Sequence, residues 1–193
     1  MSENLRAYTK AIYALDHVVK STTVKTPIEK VLAKKGPFPG WTGADVYRHS
    51  LGNLAMIKGF ATAGKGPKGE QKIATDPVRQ WEKLRDDTLA ALDKNGVLQA
   101  IAHDPFGPEF GPMPIDDLVG FMAAELAVHV WDLARVAKVD ERLDPALVKF
   151  SHAAWKQLPE SVLRMPGMFA PAVKPAVGAT PQTKLLNFLG RTV

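Results

Sequence analysis

The chain of 193 residues contains no cysteine. Disulfide bonds, cysteine-rich zinc motifs and a thiol nucleophile carried by the protein itself are therefore excluded. Any metal site must be built from histidine and carboxylate side chains, which suit zinc and other divalent transition metals. The absence of cysteine also agrees with a reducing compartment.

The chain also lacks a long apolar run. Its most apolar stretch, Leu118 to Val130, already contains Glu125 and His129, and Asp132 follows directly. A membrane-spanning helix needs about 20 apolar residues, so we expect no membrane span. The first residues, MSENLRAYTK, are polar and unlike a secretory signal. We expect a cytoplasmic protein with one domain over residues 1–193, because an apolar content of 46% suffices for one core.

The positive charge is scattered along the chain. The net charge is +5 and the pI is about 9.4, but Lys and Arg form only short pairs such as Lys34-Lys35. Nucleic-acid binding normally requires a basic stripe with interleaved aromatic residues, so we expect no nucleic-acid partner. A small-molecule substrate, with a mild attraction for anionic compounds, fits better. The oligomeric state stays open, a homodimer included.

Apolar spacing and end signals predict five helices. They cover Asn4 to Ser21, Thr42 to Ala63, Asp76 to Asn95, Ile115 to Lys138 and a segment that opens at Asp144-Pro145. We expect an irregular stretch at TPIEKVLAKKGPFPGW, a hairpin or ordered loop over Val97 to Pro114, and a Pro-rich tail from Met165 that closes with a short helix from Thr183 to Leu189. Strand patterns are nearly absent, so the prediction is an all-α antiparallel bundle.

The segment LVGFMAAELAVHVWDLARVAK carries the chemistry. Glu125 and His129 lie on one helical face with Leu118 and Phe121, on the stripe that should face the core. Burying a lone carboxylate is costly unless a metal or a paired charge compensates it. Because side chains at i and i+4 are neighbours, the two residues can offer an oxygen and a nitrogen to one point.

His49 supplies a third group from the second predicted helix, on a face with Val46, Asn53, Ile57 and Phe60. Bundle-core metal sites are made from side chains on facing helices in this way. Three protein ligands leave one position open, which is typical of a catalytic zinc. The sequence thus predicts a divalent metal, most simply zinc, held by His49, Glu125 and His129.

Other interpretations remain open at this stage. A buried Glu–His ion pair would satisfy both groups without metal. Asp132 either orients a ligand imidazole or pairs with Arg135 or Arg48. His17 and His152 are expected to be structural, and His103 a solvated loop residue or part of a pocket mouth. Four tryptophans (Trp41, Trp81, Trp131 and Trp155) are expected in the core, with Trp41 and Trp131 near enough to the ligands to shape a pocket.

Three sequence blocks resemble a known family. They are GWTGADVYRHSLGN, DPFGPEFGPMPIDDLVGFMAAELAVHVWDLARV and the closing LLNFLGR. A Trp followed eight residues later by His, and the pattern E-x-x-x-H-x-W-D-L-A, are the specific parts. The blocks resemble the DinB/YfiT-like metalloprotein superfamily, within it the group related to the metal-binding N-terminal domain of mycothiol-dependent maleylpyruvate isomerase. The resemblance covers roughly Leu5 to Arg191.

This resemblance implies a DinB-like four-helix bundle, here with an additional C-terminal helix and a Pro-rich tail. The family ligands map onto His49, Glu125 and His129. Many relatives carry a Cys shortly before the Trp, where this chain reads Pro37-Phe38-Pro39-Gly40-Trp41. The isomerase itself has a further C-terminal domain, so the shared metal platform does not define the reaction.

Three functions are compatible with the sequence. In the first, a metal ionises a low-molecular-weight thiol such as mycothiol. The thiolate then adds to a conjugated double bond and is eliminated after rotation, or it displaces a leaving group, which gives an isomerase or an S-transferase. In the second, metal-bound water makes a metallohydrolase, although no clear general base is evident apart from Glu125 and Asp132. The third is a non-catalytic, metal-stabilised bundle that binds a small molecule.

Overall fold

Eight α-helices and one pair of two-residue strands form the regular structure of residues 1–25, 28–108 and 110–193, the part of the chain that this computed structural model describes. The helices are α1 (Glu3–Lys25), α2 (Ile28–Leu32), α3 (Gly43–Ala63), α4 (Pro77–Leu92), α5 (Ile115–Ala137), α6 (Pro145–Lys156), α7 (Glu160–Leu163) and α8 (Pro181–Phe188). A 3-10 turn, Val97–Gln99, precedes β1 (Ile101–Ala102), which pairs antiparallel with β2 (Met113–Pro114). The predicted all-α bundle is confirmed.

Helix α5 is the central element of the bundle. It packs against α1, α3 and α6, while α4 packs against both α3 and α1, so that α1, α3, α4 and α5 close a ring of four helices. Helix α6 covers α5 from outside the ring, and α8 packs on α6. Because neighbours surround α5 on several sides, it is buried around most of its circumference. A polar side chain on α5 therefore needs a partner or a cavity.

The helix starts follow the signals in the sequence. Thr42 and Asp45 form the predicted capping box: the Thr42 hydroxyl accepts a hydrogen bond from the Asp45 amide, and the Asp45 carboxylate accepts one from the Thr42 amide. Asp76 caps α4 ahead of Pro77, and Asp144 caps α6 ahead of Pro145. These local interactions determine where α3 begins, and His49 lies between one and two turns after that start.

The prediction of an irregular stretch before α3 is wrong in part. Residues 28–32 form the short helix α2, whose Ile28, Val31 and Leu32 are buried. Thr26 and Pro27, which begin that stretch, lie outside the described residues. The helix escapes prediction because it is too short for a periodic pattern and depends on packing against α3. The packing is close: a Cβ at Gly43 would lie 2.7 Å from the Val31 carbonyl oxygen.

Residues between α4 and α5 form the predicted hairpin rather than a plain loop. Ile101 pairs with Pro114 and Ala102 with Met113, and the Ile115 amide donates to the Ala100 carbonyl at 2.9 Å. The described residues of the long loop between the strands, 103–108 and 110–112, extend from this short ladder. The ladder thus ties the loop to the first turn of α5.

The C-terminal tail lacks a helix over residues 165–180 and then forms α8, which Thr180 caps. The closing helix was predicted two residues later, from Thr183. After α8 the chain turns sharply at Gly190, whose φ of +78° lies in the left-handed region that favours glycine. A Cβ there would also lie 2.6 Å from the Ala170 carbonyl oxygen. The turn directs Arg191 back toward α5.

Among the helices of the described residues, none combines the length and the apolarity that a membrane span requires.

Candidate metal centre and its cavity

Helices α3 and α5 bring His49 and Glu125 into contact. His49 Nε2 lies 3.1 Å from Glu125 Oε1. The imidazole side chain is 44% exposed and the carboxylate side chain 19% exposed. The pair therefore lies at a boundary, with one side in the bundle and the other reached by solvent.

His129 completes a cluster of three. It lies one helical turn after Glu125, its ring centroid is 5.1 Å from that of His49, and its side chain is only 6% exposed. One candidate ligand atom from each of His49, Glu125 and His129 lies within 4.8 Å of the other two. The structure thus places the three residues selected from the sequence around one point.

Asp132 fixes the orientation of His129 from behind. Its Oδ2 lies 3.1 Å from His129 Nδ1, and the carboxylate is fully buried. An ionised carboxylate can only accept, so Nδ1 carries the proton and Nε2 keeps a free lone pair. This is the arrangement by which carboxylates orient metal-binding imidazoles.

The alternative partners predicted for Asp132 are wrong. Arg48 pairs instead with Asp45 at 2.9 Å, and Arg135 pairs with Glu141 at 2.8 Å. The cation that neutralises Asp132 is Arg191, whose Nε and Nη2 donate to both carboxylate oxygens at 3.2 and 2.8 Å. The two residues lie 59 positions apart, so helical spacing gave no indication of the pair.

Arg191 is held tightly in the interior. It is 1% exposed, its Nη1 donates to the Leu189 carbonyl, and its guanidinium lies 5.0 Å from the Phe38 ring centroid and 5.3 Å from that of Phe169. Asn187 donates to the Arg191 carbonyl at 2.8 Å. The closing block LLNFLGR therefore contributes the arginine of a buried ion pair behind the candidate centre. In the sequence, this block was singled out only as one of the three that resemble the family.

A second chain of hydrogen bonds supports Glu125. The amide nitrogen of Asn53 donates to Glu125 Oε2 at 3.1 Å and to the Met122 carbonyl at 2.9 Å. The hydroxyl of Tyr8, fully buried on α1, donates to Asn53 Oδ1 at 2.9 Å. Asn53 was placed on the His49 face from the sequence without a role. Together Tyr8 and Asn53 hold one carboxylate oxygen and leave the other toward His49.

The electrostatics differ between the two histidines. Burial by itself would raise the pKa of Glu125, but His49, His129 and the Asn53 amide together outweigh it and lower the pKa to about 2. Burial opposes the charged form of His49, yet Glu125 raises its pKa above the ordinary value. Burial dominates at His129 and lowers its pKa despite Asp132. Burial opposes ionisation of Asp132, but Arg191 keeps its pKa low.

Trp41 forms one wall of the centre. Its ring stacks on His129 at 5.8 Å with an interplanar angle of 18°, and it lies 5.1 Å from the His49 ring. Trp131, also expected near the pocket, is instead fully buried beneath the Arg135 guanidinium at 4.6 Å. Trp81 and Trp155 are core residues, as expected.

The remaining histidines lie away from the three ligands. His17 is exposed on α1, where its ring faces Ser21. His152 on α6 packs at 5.7 Å against Phe188. His103 is exposed in the hairpin loop, as expected, and it also lines a cavity.

A cavity of about 1200 Å³ opens in front of His49 and Glu125. Its inner end contains Trp41 and Asn53 beside those two residues, and its outer walls come from the hairpin loop, the loop after α3 and the segment around α7. His129 lies behind the cavity lining. A molecule in the cavity can thus reach the candidate centre from one side only.

The donor set fits a zinc-type ion. Two imidazole nitrogens and a carboxylate oxygen are ordinary zinc ligands, and bond lengths of about 2.0–2.2 Å place two tetrahedral ligands about 3.4 Å apart. The candidate atoms lie within 4.8 Å of one another, so small side-chain rotations are enough to bring them to that spacing. Three protein ligands and an adjoining cavity leave room for a fourth, exogenous ligand.

Comparison with known proteins gives two relatives without a described activity. The chain is 27% identical over 171 residues to uncharacterized protein MT0763 of Mycobacterium tuberculosis strain CDC 1551 / Oshkosh and, equally, to uncharacterized protein Rv0738 of strain ATCC 25618 / H37Rv. Each alignment covers 82% of this chain and 85% of the relative. No family model matches the sequence, and no solved structure matches it.

Proposed function

We propose that this chain is a cytoplasmic, metal-dependent enzyme that uses a low-molecular-weight thiol such as mycothiol, as an isomerase or S-transferase of the maleylpyruvate isomerase-like group. The supporting observation is the convergence of His49, Glu125 and His129 at the inner end of a large open cavity. When bound there, a zinc-type ion supplies a strong Lewis acid that ionises a coordinating thiol near neutral pH.

The protein side chains have separate roles in this proposal. His49 and His129 offer imidazole nitrogens, while Asp132 keeps the His129 ring in one tautomer and orientation. Asn53 holds one oxygen of Glu125, so the other stays directed toward the cluster. Trp41 stacks on His129 and limits the access of water to it. The thiol nucleophile comes from outside, because the chain has no cysteine.

Hydrolysis is less well supported by the surroundings of the cluster. A metallohydrolase needs a carboxylate or imidazole that can take a proton from bound water. Asp132 is fully buried and engaged by both Arg191 and His129, so it is not available to a substrate in the cavity. Glu125 is itself one of the candidate ligands.

Elemental analysis of purified protein tests the metal site. We expect about one zinc-type ion per wild-type chain and loss of most of it in His49→Ala and in Glu125→Gln. His17→Ala, which removes an exposed histidine outside the cluster, serves as the matched control and should keep the metal. Equal metal content in all four proteins would reject the site.

Calorimetric titration with mycothiol tests the use of the thiol. We expect binding to zinc-loaded wild-type protein and at least a tenfold loss of affinity in the same protein stripped with EDTA. A metal-loaded protein that binds no thiol would instead support the non-catalytic bundle, since the ion would then serve stability alone.

A further inference from the structure

The cavity wall contains a glycine that the fold does not need. Gly52 lies in the interior of α3, three residues after His49, where glycine is less favourable for a helix than alanine. A Cβ at this position would meet nothing within 4 Å, and its φ lies outside the left-handed region. By contrast, a Cβ at Gly59 of the same helix would lie 2.4 Å from the Lys65 carbonyl oxygen. Gly59 is thus explained by packing, whereas no neighbouring atom requires a glycine at Gly52, which lines the cavity.

Methionine is concentrated around the same cavity. Five of the six methionines in the chain line it: Met56, Met113, Met122, Met165 and Met168. Methionine side chains are flexible and polarisable, and they are typical of surfaces that adapt to apolar ligands. They come here from two helices, a strand and the tail, so their concentration does not follow from proximity in the sequence.

Aromatic rings complete the apolar wall. Phe106 lies 4.8 Å from Phe121 and 5.9 Å from Phe110, measured between ring centroids. Phe110 is 45% exposed and Met165 is 46% exposed, although both line the cavity. Large apolar side chains that remain exposed inside a concave surface are typical of a binding site for an apolar compound.

The charges of the cavity do not favour an anion. The described residues that line it include four carboxylates (Asp45, Glu70, Asp104 and Glu125) and two cationic side chains (Arg48 and Lys65). Arg48 is already paired with Asp45 at 2.9 Å and with Glu70 at 3.4 Å. In metal-free protein, an anionic ligand therefore meets an excess of carboxylates, whereas an uncharged ligand meets no such electrostatic penalty.

We infer that the cavity binds an uncharged, largely apolar compound with an aromatic or conjugated system, and that this is the substrate class of the enzyme. Its apolar body lies among the methionines and phenylalanines, and its polar end faces His49 and Glu125. The statement that this compound is the substrate rests on the proposed function, but the binding itself needs no metal. The apolar binding and the proposed metal-dependent activity can therefore fail independently.

The test uses EDTA-treated full-length protein and two fluorescent probes. N-phenyl-1-naphthylamine is uncharged, and 1-anilinonaphthalene-8-sulfonate has the same ring system with an added sulfonate. We expect the uncharged probe to bind with a stoichiometry of one per chain and at least ten times more tightly than the sulfonate. Absence of saturable binding, or tighter binding of the sulfonate, would overturn the inference.

Variants then locate the binding. Gly52→Leu should lower the affinity for the uncharged probe at least tenfold, because the new side chain occupies cavity space. The melting temperature of this variant should stay at or above that of wild type, because the leucine meets no neighbouring atom. The double change Phe110→Ala and Met165→Gln should weaken binding of the probe about fivefold. Tyr13→Ala, which removes a 52% exposed ring outside the cavity, is the matched control and should leave the affinity unchanged. Unaltered probe binding in a folded Gly52→Leu variant would contradict the assignment.

His129→Gln separates this inference from the proposed function, because His129 is a candidate metal ligand that does not line the cavity. The variant should lose the metal while it still binds the uncharged probe. Loss of metal with retained probe binding supports both proposals. Retained metal in this variant, with normal probe binding, would reject the metal site but still support binding of the apolar compound in the cavity.

Discussion

The two histidines of the candidate centre each face a carboxylate at 3.1 Å, yet their surroundings are opposite. On the closed side, His129 and Asp132 are buried, and Arg191 neutralises the carboxylate. On the open side, His49 borders the cavity, and within the described part of the chain Glu125 is accompanied by the imidazoles of His49 and His129 rather than by a Lys or Arg. The buried His129–Asp132 pair is suited to holding an imidazole in one orientation. The His49–Glu125 pair, which borders the cavity, is suited to binding a cation or a ligand.

The largest effect should come from the closed side. Arg191→Met leaves Asp132 as a buried carboxylate without a cation, so we expect a loss of about 3–5 kcal/mol in the free energy of unfolding. Urea denaturation followed by circular dichroism measures it. Arg142→Met, which removes an exposed partner of Asp140, is the control and should change stability little. Equal losses in the two variants would show that the buried pair has no special role.

The next effect concerns orientation. Asp132→Asn removes the charge that holds the His129 tautomer, and such changes typically reduce metal affinity about 10–100-fold. Competition with a chromogenic zinc chelator, carried out on the folded fraction, measures the affinity. Glu141→Gln, which loses a partner of Arg135 outside the centre, should bind metal like wild type. If Asp132→Asn did so as well, Asp132 would be a structural residue only.

The pH dependence of metal-free protein should differ in sign between the two histidines. The pKa of His49 is raised in the fold, so protonated His49 stabilises the folded state. This contribution to the free energy of unfolding is fully present below the unfolded-state pKa of 6.5 and is lost as the pH rises through the folded-state pKa. The pKa of His129 is lowered, so the fold loses stability as pH falls from 6.5 toward the folded pKa.

Denaturation of EDTA-treated His49→Gln and His129→Gln between pH 5 and 8 measures this difference. Relative to wild type, His49→Gln should become more destabilising as the pH falls. His129→Gln should show the opposite trend and become less destabilising as the pH falls. Parallel curves for the two variants would contradict the distinction between a closed and an open side.

The smallest effect should appear at two glycines of α3. Gly52→Ala should raise the free energy of unfolding by about 0.5–1 kcal/mol, because alanine favours a helix and meets open space. Gly59→Ala should lower it, because its Cβ would collide with the Lys65 carbonyl. Thermal melts of both variants check the signs. A stability loss at Gly52 would mean that this wall of the cavity is packed after all.

Helical periodicity accounts for most of what could be predicted. The helices containing His49, Glu125 and His129 were located within one or two residues, since their caps and apolar spacing act over a few positions. The short α2 was missed, because its five residues depend on packing against α3, α1 and α5 rather than on a periodic pattern. The metal, the thiol and the reaction stay predictions.

The sequence by itself determined the all-α class, the helix starts and the spacing that puts Glu125 and His129 on one face, because these depend on neighbours within a turn or two. Only the tertiary structure decided that Arg191 neutralises Asp132, that Tyr8 and Asn53 support Glu125, and that the methionines surround one cavity. Those relations join residues tens of positions apart, and no local pattern encodes which distant side chains will share a buried space.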